Sequence, residues 1–534
     1  MSGLFTISRA VSGAIRLSYV VLIALFLLIA VGSRSPALSE AAPPAVAANL
    51  AYSTYVGGDG VDEGKDITLD SAGNIYIIGE TQSDNFLGSG QAISGYSDIF
   101  VAKFDPTGGT LLYLSLIGST STDAPISIGV DEQGNVYATA NILVDDFPVK
   151  NALWPTPPQY YYDGVLFKLN SKGELVYSTY LPLSVFDARH NLAVDAAGNA
   201  YVTGSSFPGG VRNQIGLLKI SPDGSQLLLE KHVGGPDSDD KGTAVTLDDA
   251  GNIYLTGITE SGGTFPVTAN ALQSVCGDVF YNHNFYCFRD GVVVVLNPAG
   301  EVTYSSYHGG SFGDEPQAIA TDGQGNILIA GNTASGEFPL AQALRSTCPL
   351  DNSSSDCVSY LGFVSLIHLE NGVASLTYST YLGSTEPGSD NIVKAAAIDS
   401  GGRATVIGYT SGRHLPTANP LQAQISESYC STFGSERLCF DTFVLTFTPT
   451  GSLSFGTYLG ASYDDFPYGL ALNGDSIFLT GLTEANNFPV TSNAFQPVNP
   501  LGDDAFIVKI GSGSTPPPPS PSGDYHIFLP MITR

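Results

Sequence analysis

Acidic residues stand just ahead of apolar runs at regular intervals along this chain: Asp62 and Glu63, Asp123, Asp239 and Asp240, Asp314 and Glu315, Asp390, and Asp464 with Asp465. Carboxylates are the ligands a hard cation such as Ca2+ selects, because it takes about six to eight oxygens. If the runs stand side by side, Asp62, Glu63, Asp239, Asp240, Asp314, Glu315, Asp464 and Asp465 are the candidate Ca2+ ligands. No single stretch has the alternating Asp spacing of a calcium loop, and the competing reading is that each carboxylate accepts amides of its own loop or faces water. Paired acids also serve glycoside and lyase chemistry, but pairs in loops are too common to assign it.

Other catalytic constellations are missing. The histidines, at 190, 232, 283, 308, 368, 414 and 526, lie in unrelated contexts with no HExxH pattern. "GGSFG" at 309–313 lacks the strand-to-helix turn that a nucleophilic serine needs. No catalytic residue is assigned, and a noncatalytic role is favoured over an enzyme. Aromatic residues gather in two loops, Trp154, Tyr160, Tyr161 and Tyr162 in one and Phe280, Tyr281 and Tyr286 in the other. Such faces stack on sugars or anchor a protein, and they equally form the small cores long loops require.

The cysteines fall as close pairs, Cys276 with Cys287, Cys348 with Cys357, and Cys430 with Cys439. Metal ligation would call for CxxC-like clusters, so three local disulfides are the simpler reading. Each would close a loop of about ten residues, which on chain-entropy arguments contributes about 2 to 3 kcal/mol. Disulfides suit export, and so does the N-terminus. Arg9 and Arg16 precede the apolar run at 17–32, and small residues follow, the plan of a secretory signal over 1–41. An uncleaved anchor is the alternative, in which case this segment is the only membrane contact. A secreted or cell-surface monomer is expected. With 50 acidic against 21 basic residues, a net charge of −29 would repel a phosphate backbone, which excludes nucleic acid as a partner.

Positioning these residues requires elements, and the sequence repeats them. "LDSAGNIYIIG" (69–79), "VDEQGNVYATA" (130–140), "VDAAGNAYVTG" (194–204), "LDDAGNIYLTG" (247–257) and "TDGQGNILIAG" (321–331) each set a turn between apolar runs. In "DxxGN" the Asp can bind amides of its turn, Gly251 can take positive φ, and Asn252 tolerates it. Strands A and B flank this turn, with A starting near 65, 126, 190, 243, 317, 395 and 468. A third run, C, starts at 98, 163, 214, 290, 361, 441 and 504, and a fourth, D, follows a second turn, as in "LVYSTYL" from 175. The fold class is therefore all-β, a seven-bladed β-propeller of four-stranded antiparallel blades. The mature chain opens on a D-type run, "LAYSTYV" at 50–56, and its last repeat run is C-type, so the ring closes by the N-terminal strand pairing with the C-terminal blade.

The repeat "YSTYVGG" (52–58), "GIT" (257–259) and "NNFPVTSNAFQ" (486–496), with their copies over about 50–510, resembles the bacterial beta-propeller repeat (SBBP-type) family. The resemblance implies a seven-bladed propeller and no shared chemistry. Domains are expected at 1–41 (signal or anchor), 42–510 (propeller), 511–523 (Gly/Ser/Pro-rich linker) and 524–534 (short tail, a docking signal or a strand resting on the propeller). D–A and B–C loops share one face of such a disc. Blades four, five and six carry the long cysteine-bearing B–C loops there. An exported scaffold or binding module that contacts glycan or protein through this face is the expected function. A Ca2+-assisted carbohydrate-active enzyme on the same face and a purely structural spacer are the alternatives.

Overall fold

The computed structural model describes residues 50–511 and the backbone of 526–528, apart from 159–162, 187, 209–211, 237–238, 261–262, 282–283, 288, 350–355, 385, 387, 433–434 and 501. Side chains in 278–288, 432–435 and 526–528, and those at 356 and 358, also lie outside the described set. Seven four-stranded antiparallel sheets follow one another along the chain. Blade one is Asp62–Leu69, Ile75–Thr81, Asp98–Phe104 and Leu111–Ile117. The innermost strands of the next five blades are Asp123–Val130, Leu192–Val194, Asp240–Leu247, Asp314–Thr321 and Asn391–Ile398. Blade seven is Asp465–Asn473, Ser476–Thr483 and Asp504–Ile510, with Leu50–Val56 outermost, antiparallel to Asp504–Ile510. Each innermost strand packs on that of the next blade, and the seventh on the first.

Most innermost strands begin about three residues earlier than the apolar pattern suggests, because a bulge, as between Gly64 and Asp66, lets the acidic and Gly/Pro residues join the ladder. Blade three differs, with a pairing of only three residues, Leu192–Val194.

The recurrent turn is a side-chain device. In blade four Gly251 sits at φ +80°. Asn252, against expectation, has no positive φ. Its Nδ2 instead donates to Asp248 Oδ2 at 2.7 Å, its backbone amide to Oδ1 at 2.8 Å, and the Tyr254 hydroxyl to Oδ2 at 3.0 Å. Three other blades add a lysine from strand C over that tyrosine, as with Lys103 at 4.7 Å from the Tyr76 ring centre and 3.5 Å from Asp70. Because one carboxylate gathers three donors, Asp248→Ala is expected to cost about 1 to 3 kcal/mol in urea unfolding. An unchanged midpoint would remove the turn from the stability account.

The two tyrosines of the "YSTY" strand have separate tasks. The Tyr458 hydroxyl, at the second tyrosine's place in the variant "FGTY", donates to Gly412 O at 2.8 Å and accepts from Leu415 N at 2.9 Å, tying down the B–C loop of its own blade. Tyr52 reaches the next blade, donating to Gly108 O at 2.6 Å. Gly108 is at φ +77°, and a Cβ there would come within 2.4 Å of the Tyr52 ring. The Phe of the "FP" motif packs beside the loop-holding tyrosine, as Phe488 does with Tyr55 at 6.3 Å between ring centres.

Disulfides join Cys348 to Cys357 and Cys430 to Cys439. Cys276 is disulfide-bonded as well, and the side chain of Cys287 lies outside the described residues. Short hairpins, Asp278–Tyr281 with Asn284–Cys287 and Tyr429–Thr432 with Ser435–Leu438, fill two of the long loops. His526–Phe528 runs parallel to Tyr113–Ser115 as a fifth strand on blade one. Among the described residues no helix is long and apolar enough to cross a membrane. The segment 1–41 and the linker 512–523 lie outside them.

Candidate functional site

Alternate residues of each innermost strand face the central channel, since side chains switch faces at every residue. The buried and half-buried positions alternate from the D–A end of these strands. The fourth residues from that end are Lys65, Ile126, Thr243, Gln317, Lys394 and Tyr468, with His190 in the matching place of blade three. Where the channel opens toward the loops, a cavity of about 290 Å3 is lined by Lys65, Ile126, His190, Lys394 and Tyr468 of this set, together with Arg189 and Phe186.

Four basic side chains thus meet at one opening in a chain with 21 Lys and Arg against 50 acids. Tyr468 is flanked by two of them, with Lys65 Nζ 4.9 Å and Lys394 Nζ 5.7 Å from its ring centre. Burial, with the Arg189 and Lys65 charges adding to it, pushes the Lys394 ammonium down to about 8. Burial likewise holds the Tyr468 phenol well above its ordinary range. His190 Nδ1 lies 3.9 Å from Asp66 Oδ1, a carboxyl raised by burial. Arg189 Nε donates to Gln317 Oε1 at 3.3 Å. The carboxylates around the opening have partners of their own: Glu63 pairs with Lys65, Glu315 with Arg289 at 2.9 Å, and Asp464 with Arg437 at 2.7 Å. Among the described residues, neither Arg189 nor Lys394 makes an ion pair.

The candidate Ca2+ ligands are spread around the ring. Asp62, Asp240, Asp314 and Asp465 are fully buried first residues of innermost strands. Each accepts an amide of its own D–A loop, from Gly58 at 2.6 Å, Gly235 at 2.7 Å, Gly310 at 2.7 Å and Ala461 at 2.8 Å. Asp239 accepts from Asn213 N at 2.9 Å. A carboxylate oxygen of Asp464 also lies near the Cys430 and Cys439 sulfurs, which are joined as a disulfide and so offer no thiolate.

Of the loop aromatics, Trp154 is half-buried against two cores, one between blades one and two and one between blades two and three. Tyr160, Tyr161 and Tyr162 and the side chains of Phe280, Tyr281 and Tyr286 lie outside the described residues. His308 is a packing residue, 1% exposed between Phe338 and Phe363, and burial lowers it to about 4. Sequence reasoning missed the basic cluster. Reading the fourth residue of every innermost strand as one ring would have found Lys65, His190 and Lys394 together.

The SBBP family, described as a beta-propeller repeat, matches residues 51–86 and 303–339. No curated protein matches the chain. Among solved structures, a gluconolactonase from Xanthomonas campestris is 11% identical over 89% of this chain and 98% of its own, with a TM-score of 0.33. A PL25 ulvan lyase bound to -[GlcA(1-4)Rha3S]- is 9% identical over 81% and 92%, TM-score 0.40. The extracellular region of plexin A4 is 10% identical over 86% and 47%, TM-score 0.43. Similarity at these levels carries no argument about activity.

Proposed function

We propose, for a chain that carries SBBP beta-propeller repeats, that it is an exported noncatalytic binding module contacting glycan or protein at the cell surface through the D–A and B–C loop face, with the channel opening as its seat. The observation that carries this reading is the cavity at the centre of that face, since concave sites with a few convergent polar groups are where ligands bind. Disulfide-stapled loops around it lower the ordering cost of binding.

Filling the cavity tests the seat. Ala124 lines it, so Ala124→Trp should abolish capture of whatever glycan or protein the wild type retains from an immobilised panel, with the melting temperature held. Full capture by that variant would move the seat elsewhere on the face. Trp154 is a poor probe by comparison, because its packing against two cores makes Trp154→Ala a stability variant.

A Ca2+-assisted carbohydrate-active enzyme remains the second reading, favoured by the presence of His190 and Tyr468 in the same cavity. Its test is release of new sugar ends from captured polysaccharide, lost in Tyr468→Phe. The calcium part is tested separately, since a ligand held only by the folded state raises the melting temperature by mass action. A saturable rise in millimolar Ca2+ after EDTA treatment, lost in Asp239→Asn, supports it, and identical melting curves refute it.

A further inference from the structure

The ligand's chemical class follows from the charges at the opening, and this inference rests on the binding reading above. We propose that the channel opening is an anion site that takes the carboxylate of an acidic sugar, such as a uronic acid residue of an extracellular polysaccharide. Lys394 and Lys65 arrive on the innermost strands of blades six and one, and Arg189 on the loop that leads into that of blade three, so three segments distant in sequence bring cations to one cavity of about 290 Å3. Like charges brought together repel, and the Lys394 ammonium, lowered first by burial, is lowered further by the Arg189 and Lys65 charges. Glu63 offsets Lys65, but Glu315 and Asp464 are engaged with Arg289 and Arg437, and among the described residues Lys394 and Arg189 are left without an ion pair. A bound carboxylate would supply the missing counter-charge, and Arg189 offers the planar fork that carboxylates fit.

Sugar, rather than an acidic peptide, suits the remaining lining. Phe186 stands at the rim with 52% of its surface exposed, and Tyr468 presents its ring below. Aromatic faces of this kind stack on sugar rings, while Asn141 offers a neutral amide for hydroxyl groups. The surrounding surface, at a net charge of −29, disfavours densely charged polymers and leaves this opening for isolated acidic groups.

Titration calorimetry of the purified full-length chain at low salt tests the proposal, with trigalacturonate as probe and its methyl ester as the uncharged control. The acid form should bind at least about tenfold more tightly than the ester, weaken as salt rises, and lose about tenfold or more in Lys394→Met and in Arg189→Gln. Both variants should keep the wild-type melting temperature, and Lys394→Arg should restore part of the binding. Equal affinity for acid and ester, with both variants unaffected and Ala124→Trp inactive, would overturn the anion site while leaving the binding seat in place. Capture by the panel without any uronate binding would overturn it as well. Tighter competition by oligoglutamate than by trigalacturonate would overturn the sugar assignment in favour of an acidic protein partner.

Discussion

The oxidised protein is expected to melt at a lower temperature at pH 8 than at pH 5. At the blade junctions, the first residue of strand C faces the first residue of the next innermost strand. Around Gly118, oxygens of Asp98 and Asp123 lie 2.3 and 2.8 Å from where a Cβ would sit, and Asp441 and Asp465 flank Gly460 in the same manner. Burial pushes Asp62 up to about 6, Asp123, Asp314 and Asp441 up to about 7, and Asp504 up to about 8, with the opposing carboxylate adding to the effect at Asp123 and Asp504. A carboxyl raised in the folded state holds a proton that the unfolded chain has released, so stability falls as pH climbs from about 4 to about 8. His308 acts in the opposite sense between about 4 and 6.5, but it is one group against five. Asp70 and Asp195 are lowered and change their proton occupancy below this window.

A tenfold change in a carboxyl's proton affinity between the folded and unfolded chain is worth about 1.4 kcal/mol, so several junctions together should move the transition by many degrees. Asp504→Asn is the sharpest check, because both Asp504 oxygens are buried without a hydrogen-bond partner. Calorimetry should show a gain for this variant of at least about 1 kcal/mol at pH 8 and little at pH 5. A wild-type profile that is flat or rises with pH would sink the account.

Removing the strand Leu50–Val56 should have the largest effect of any local change. It supplies the outermost strand of blade seven through a register running from Leu50 opposite Ile510 to Val56 opposite Ala505. Its Tyr55 hydroxyl donates to Ala485 O and accepts from Phe488 N, both at 2.9 Å, and Tyr52 accepts from Phe495 N at 3.1 Å. Without it, Asp504–Ile510 becomes an open apolar edge, the kind that pairs with other chains. A chain starting at residue 57 is therefore expected to aggregate or to lose blade seven, read by size-exclusion chromatography and urea unfolding. The milder Tyr55→Ala, which leaves the strand in place, should cost about 3 to 5 kcal/mol. A soluble monomer with an unchanged urea midpoint in both cases would show that this strand is dispensable.

Most of the fold was legible because its signals are local. Asp248, Gly251 and the apolar runs beside them set a turn within a few residues, and repetition turns one uncertain reading into several consistent ones. Starts of the innermost strands were less legible, since a bulge admits residues such as Gly64 and Pro467 that resemble loop. The acidic pairs looked like ligands in sequence because carboxylates in series suit calcium. Burial and the nearby loop amides occupy Asp62, Asp240, Asp314 and Asp465 instead, and no spacing rule announces that.

By itself, the sequence determined the architecture, the tight turns and the pairing of Cys348 with Cys357 and of Cys430 with Cys439, all of which depend on residues close along the chain. Only the tertiary structure decided where charge accumulates. Lys65, Arg189, His190 and Lys394 are separated by as many as five blades, and each reads alone as an ordinary surface cation. Because closing a sevenfold ring points one alternate position of every innermost strand at a shared axis, these residues become neighbours only when the first blade packs on the last.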